Sequence, residues 1–226
     1  MAVSFQSSAV ATANGTSVSV SLNAGAGSDR VLYAAHHQPG TATGATYNSV
    51  AMTSVKTEDA LEMFELVAPS TGSNTLRVSN SSYSRGYLVA AVFNGVDQTT
   101  PAGTITGQSA SSSTPTIPTT TCPTDGMVYG AMMHDYSSST AVISGVGNTL
   151  ASALRTGGKN IAGGYRSSTG QVAWSTGTSY SYDSIGVPIN AAGGAPALST
   201  NKLTTSHTLD RGFGQLRAAR LGGILQ

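Results

Sequence analysis

Apolar and polar residues alternate one for one in Thr16-Ser-Val-Ser-Val-Ser-Leu22, so Val18, Val20 and Leu22 share one face of an extended chain and the serines take the other. Comparable short runs predict strands over 30–36, 46–55, 74–79, 86–94, 126–134, 159–167, 171–175 and 182–189, separated by Gly, Pro, Asn and Ser clusters. Three of these runs are nearly continuous in apolar residues: Val31-Leu-Tyr-Ala-Ala-His36, Tyr87-Leu-Val-Ala-Ala-Val-Phe93 and Met127-Val-Tyr-Gly-Ala-Met-Met-His134. Such runs belong to central strands covered on both faces.

Residues Thr57-Glu-Asp-Ala-Leu-Glu-Met-Phe-Glu-Leu-Val-Ala68 carry an N-cap residue, early acids and good helix formers, and in isolation they read as a helix. The turn Pro69-Ser-Thr-Gly72 and the alternating Leu76 and Val78 that follow favour a hairpin, which predicts a strand over 61–67. Together the pattern predicts an all-β fold, a jelly-roll-like antiparallel β-sandwich over 1–192 with a C-terminal extension over 193–226. The Thr/Ser/Pro-rich stretch 110–123 is either an interdomain linker or a crossover within one sandwich, and the shortness of the second half favours the crossover.

Composition narrows the function classes. Charged residues make up 9% of the chain, against roughly 25% in ordinary soluble domains. The net charge of +1 argues against a nucleic-acid or membrane partner for the whole molecule. Cys122 is the sole cysteine, which excludes an intramolecular disulfide and a multi-cysteine zinc cluster within one chain. The start Met1-Ala-Val-Ser-Phe-Gln6 has neither a basic segment nor a continuous apolar one, so the expectation is synthesis in a cytoplasm.

One set of stretches has a familiar order: the alternating strand, Gly27-Ser-Asp-Arg-Val-Leu32, Tyr47-Asn-Ser-Val-Ala-Met52, Leu66-Val-Ala-Pro-Ser-Thr-Gly72 and Ala90-Ala-Val-Phe-Asn-Gly-Val-Asp-Gln-Thr-Thr-Pro101. From about Val18 to Pro101 the chain resembles a β-sandwich module of bacteriophage structural proteins, also seen in some bacterial surface proteins. The most specific element is Phe93-Asn-Gly-Val-Asp-Gln-Thr-Thr-Pro101. The resemblance implies a place, a virion or cell surface, rather than a reaction, and the leading expectation is a capsid decoration or fibre component, made in a host cytoplasm, that binds capsid or tail proteins and forms homo-oligomers, trimers being common in that setting. It carries over no catalytic residue and no cofactor.

Candidate chemistry elsewhere is thin. His36 and His37 end one predicted strand and His134 with Asp135 ends another, so strand pairing could gather two imidazoles and a carboxylate as a zinc site, although strand-end histidines ordinarily meet water or loop backbone. Glu58, Asp59, Glu62 and Glu65 lie too close in sequence for the opposed carboxylates of a glycosidase and are expected to be solvated or paired with Lys56 or Arg77. No Gly-x-Ser-x-Gly elbow exists, and neither Gly157-Gly158 nor Gly163-Gly164 runs into the Lys-Ser/Thr of a phosphate loop. The expectation is a protein that is not an enzyme, with no metal.

Tyr165, Trp174, Tyr180 and Tyr182 form the densest aromatic region. Exposed rings there would stack on sugars, which makes Trp174 and Tyr180 candidate glycan contacts and a carbohydrate- or receptor-binding module the alternative function. The competing expectation for Trp174 is a core position.

The tail differs from the body. Residues 1–200 carry seven Lys/Arg and nine Asp/Glu, whereas 201–226 carry Lys202, Arg211, Arg217 and Arg220 against Asp210 alone. Beyond the linker-like Ala191-Ala-Gly-Gly-Ala-Pro196, the tail is expected to be an anchoring arm that orders on its partner. Arg211, Arg217 and Arg220 would meet carboxylates, while Phe213, Leu216 and Leu221 would supply apolar contacts.

Overall fold

The computed structural model of the chain describes residues 1–40, 42–135, 144–156 and 158–193. The strands in order are β1 (Ser4–Asn23), β2 (Val31–His37), β3 (Ala42–Tyr47), β4 (Val50–Ala51), β5 (Thr53–Glu58), β6 (Leu61–Val67) and β7 (Ser73–Asn94). They continue with β8 (Thr106–Ser112), β9 (Met127–Asp135), β10 (Ser144–Gly145), β11 (Thr149–Thr156), β12 (Lys159–Arg166), β13 (Trp174–Ser175) and β14 (Tyr180–Ile189). The fold is an all-β antiparallel sandwich. One main sheet runs β4-β3-β7-β2-β6-β5 with β1 also paired to β7, the second runs β11-β12-β9-β14-β8, and β10 and β13 form a separate two-stranded pair.

Two long strands organise the first sheet. β1 and β7 pair from Ser4↔Asn94 to Asn23↔Ser73, and the register jumps between Gly15/Ser17 and across residues 80–83. There the polar run Asn80-Ser-Ser-Tyr-Ser-Arg85 bends the ribbon rather than ending it, so the strands expected over 74–79 and 86–94 are one continuous element. The first half of β7 pairs with β3 and the second half with β2. The sheet thus encloses a core of its own, with Val18, Leu22, Tyr47, Leu76, Leu88 and Val92 inside.

Alternation assigns the other faces. Val31, Tyr33, Ala35, Val89, Ala91 and Phe93 pack against Tyr129, Ala131, Met133, Ile161, Ile185 and Val187 between the sheets. Every residue of β2 is buried, as the continuous apolar run anticipates for a strand covered on both faces. The outer face of the second sheet carries a third core, in which Ile117, Val172 and Trp174 cover Val128, Met132 and Ala162. The Thr/Ser/Pro-rich stretch supplies that cover, since Ile117 and Val172 bond through their backbones at 3.0 Å. Gly130 sits beneath it, where a Cβ would stand 2.9 Å from Ile117 and Val172 and 3.1 Å from the Trp174 ring.

The helix-like segment is the β5–β6 hairpin, as the downstream turn implied. β8 and β11 are strands that the pattern did not predict. Both are rim strands held by pairing to β14 and β12: β8, Thr-Gly-Gln-Ser-Ala-Ser-Ser, has few apolar side chains, while in β11, Thr-Leu-Ala-Ser-Ala-Leu-Arg-Thr, a register shift between Leu150 and Ser152 interrupts the alternation.

Candidate functional site

The sandwich has two unlike ends. At one, the stretches that carry the family resemblance converge. The Arg30 carbonyl accepts from the Ala68 amide at 2.9 Å, and the Arg30 guanidinium donates to the Pro69 carbonyl at 3.2 and 3.0 Å and to the Gly27 carbonyl. Gly95 and Val96 donate backbone N–H to Ser28 and Asp29, and the Gln98 amide bonds the Arg30 and Val96 carbonyls. The Asp97 carboxylate receives the Thr99 and Thr100 amides at 2.8 and 2.9 Å, which holds its carboxyl below the usual range, Thr100 contributing most. The Asp97 amide in turn reaches Asn190 in the extension of β14, so this turn hub ties both sheets together. Its chemistry is architectural.

The opposite end is built differently. Residues of equal parity in a strand share a face, so His37 joins Tyr33 and Ala35, Asp135 joins Met133, Lys159 joins Ile161, and Asp183 joins Ile185, all facing the space between the sheets. The β5–β6 turn adds Asp59, at φ 49°. These side chains line an open cleft of about 230 Å³ with Pro39, Ser181 and Tyr182. His37 Nε2 stands 4.0 Å from Asp183 Oδ2, the Ser109 hydroxyl donates to Asp183 Oδ1 at 2.7 Å, and Lys159 pairs with Asp135.

Burial governs the electrostatics. It lowers the His37 imidazole to about 3, with the Lys159 charge acting in the same direction, so the ring is neutral at ordinary pH. Burial raises the Asp183 carboxyl; the Ser109 hydrogen bond opposes this, and the Asp59 charge adds to it.

The zinc arrangement weighed for the strand-end histidines does not form by strand pairing, since β2 and β9 belong to different sheets. His37 and Asp135 share the cleft, but His36 and His134, one residue away in each strand, point to opposite outer faces. His36 is lowered to about 4 by burial beside Gln38 and Asn80. His134 bonds the Ser112 carbonyl at 3.1 Å and the Thr176 hydroxyl at 3.3 Å on the far side of the second sheet. Among the described residues no group of three or more His, Cys, Asp or Glu is arranged to hold a metal ion.

The acidic run is dispersed. Glu58 pairs with Lys56 at 3.6 Å, Glu62 accepts from Ser54, and Glu65 accepts from the buried Tyr33 hydroxyl at 2.8 Å. The glycan-contact expectation for Trp174 is corrected: the ring is fully buried in the third core and offers no face to a sugar. Tyr180 is half-buried, its ring edge-on to His134 with centroids 6.2 Å apart. The arm residues Arg211, Phe213, Leu216, Arg217, Arg220 and Leu221 lie outside the described residues.

Polar accounting separates the two ends. Among the described residues, ten of fourteen buried side-chain polar atoms without a partner belong to His36, His37, Gln38, Asn80, Ser84, His134, Asn160 and Thr178, at or beside the cleft end. Of these described atoms, Asn94 Oδ1 alone lies at the turn hub. Native interiors leave few such atoms, and their concentration marks the cleft end as the place where fold and chemistry diverge. Sequence reasoning missed Lys159 and Asp183, whose approach to His37 depends on sheet register, and weighed Asp59 only with its sequence neighbours; the parity of charged strand ends was the available signal for the first two. Comparison with family models, curated proteins and solved structures finds no match.

Proposed function

We propose that this chain is a bacteriophage virion structural protein, a capsid decoration or fibre component that binds capsid or tail proteins and self-associates. The observation that carries the reading is the turn hub: stretches from 27–32, 66–72 and 90–101, which resemble the virion module, meet in one clamp where their side chains serve architecture. A module related through such residues shares a scaffold, and its recognition chemistry belongs elsewhere on the surface, as the cleft end provides.

Attachment through the basic tail, with Arg211, Arg217 and Arg220 as donors and Phe213, Leu216 and Leu221 as apolar contacts, is part of the proposal. Trimeric self-association belongs to the same reading. Particles purified from the parent virus should contain the chain at fixed stoichiometry, and a chain ending at residue 208 should no longer join them. Absence from purified particles, or full attachment by the shortened chain, contradicts the proposal or its arm respectively.

The alternative, a carbohydrate-binding module, has lost its principal contact with the burial of Trp174. Saturable binding on a glycan array that is lost in Tyr180→Ala would restore it.

A further inference from the structure

We propose that the cleft between the sheet ends receives the guanidinium or ammonium head of an arginine or lysine side chain presented by a partner protein, an inference that rests on reading the chain as a binding module. Among the described lining residues, three carboxyl groups, Asp59, Asp135 and Asp183, face one ammonium, Lys159, which is already engaged by Asp135. Among the described residues neither Asp183 nor Asp59 forms an ion pair with Lys or Arg; the Lys159 charge acts on Asp183 from a distance and lowers its carboxyl, while the Asp59 and Asp135 charges raise it. His37 adds no positive charge, because its ring is neutral.

His37 is also the observation that points to a ligand. Its side chain is 6% exposed, it lines the cleft, Nδ1 has no partner, and Nε2 stands 4.0 Å from Asp183 Oδ2. That separation is too long for a hydrogen bond between the two groups. It is a span that the forked N–H donors of a guanidinium, or the three donors of an ammonium, bridge when the imidazole accepts through one nitrogen. A zinc ion would need its ligand atoms drawn in to about 2.0–2.2 Å of one point, and the described carboxylates and His37 are not so arranged. A cleft of about 230 Å³ is smaller than the roughly 300–1,000 Å³ of small-molecule sites and has room for the end of a side chain.

The test uses the full-length chain, isotopically labelled and titrated with N-acetyl-arginine amide while backbone amide resonances are followed. Saturable shifts are expected at Ser181, Asp183 and Lys159, and N-acetyl-citrulline amide, of the same shape without the charge, should produce none. Asp183→Asn and Asp59→Asn should each weaken binding about tenfold, the scale of one charge-assisted hydrogen bond. Asn tolerates the positive φ at residue 59, which guards against misfolding in the second variant. Asp29→Asn, at the turn hub, should leave binding unchanged.

An equal response to the citrulline compound, undiminished binding in both cleft variants, or a saturable response to Mn²⁺ or Zn²⁺ with none to the arginine compound would overturn the proposal. Failure to find the chain on particles would remove the proposed function while leaving this titration standing.

Discussion

The two ends of the sandwich make use of their polar groups in opposite ways. At the turn hub Arg30, Asp97 and Gln98 are each matched to backbone partners, and the matched groups hold strand exits from both sheets. At the cleft end His36, His37 and Asn160 are buried with ring or amide atoms unmatched, and a cluster of carboxyl groups stands open. Unmatched buried polar groups each cost about 1–3 kcal/mol. Stability is therefore concentrated at the hub and given up at the cleft, which is the division expected when one end is scaffold and the other is kept for a partner.

Acid should break the comparison most strongly. His36 and His37 are lowered from 6.5 to about 4 and about 3, chiefly by burial. The unfolded chain takes up both protons near pH 6.5 and the folded chain refuses them, so stability is full above that pH and falls as pH drops toward 4. Each imidazole contributes about 1.4 kcal/mol per pH unit, or about 4 kcal/mol for the pair between pH 6 and 4.5. Asp183 and Glu65, whose carboxyls burial raises, offset part of this at the acid end. Urea unfolding across that range should reveal the slope, and replacing both histidines by leucine should flatten it. A pH-independent wild type would contradict the burial of neutral rings.

Next in size is the hub. Arg30→Met keeps the aliphatic stem but removes the bonds to the Pro69 and Gly27 carbonyls. The expected loss is about 2–3 kcal/mol, the scale for charged donors with partial solvent access, read as a lower urea midpoint at unchanged slope. A change within error would show that the hub is decoration rather than clamp.

Smallest is Asp97→Asn. The Asp97 carboxyl is held below 3.8 by the Thr100 and Thr99 amides, so its contribution is present above that pH and lost as pH falls through the lower folded value. The variant should resemble wild type at pH 7 and lose less stability below pH 4. An identical acid profile in the two proteins would count against the Asp97 cap.

What the sequence made legible follows the same division. β2, β9 and the second half of β7 were readable because both of their faces are apolar, and the three core assignments repeat that alternation. β8 and β11 were not: β8 is a Ser-rich rim strand held by its neighbour's backbone, and in β11 a register shift between Leu150 and Ser152 breaks the alternation of its apolar residues. The hub was visible as motif, because tight turns demand particular residues within short stretches. The cleft was visible only as the strand ends His37 and Asp135. Its other members, Asp59, Lys159 and Asp183, arrive through register across two sheets, which no local pattern encodes. Trp174 illustrates the converse: its neighbourhood looked like an aromatic surface, but the ring is fully buried, and Gly130 leaves room for it.

The measurement that tests the division most directly is a paired urea unfolding at pH 7 of Asn160→Leu and Arg30→Met. Asn160 is fully buried with both amide atoms unmatched, and leucine has nearly its shape. Replacing an unmatched buried amide by an apolar isostere should leave stability unchanged or raise it by about 1 kcal/mol, while Arg30→Met lowers it. Loss of about 2 kcal/mol or more in Asn160→Leu, equal to the loss at the hub, would contradict the account.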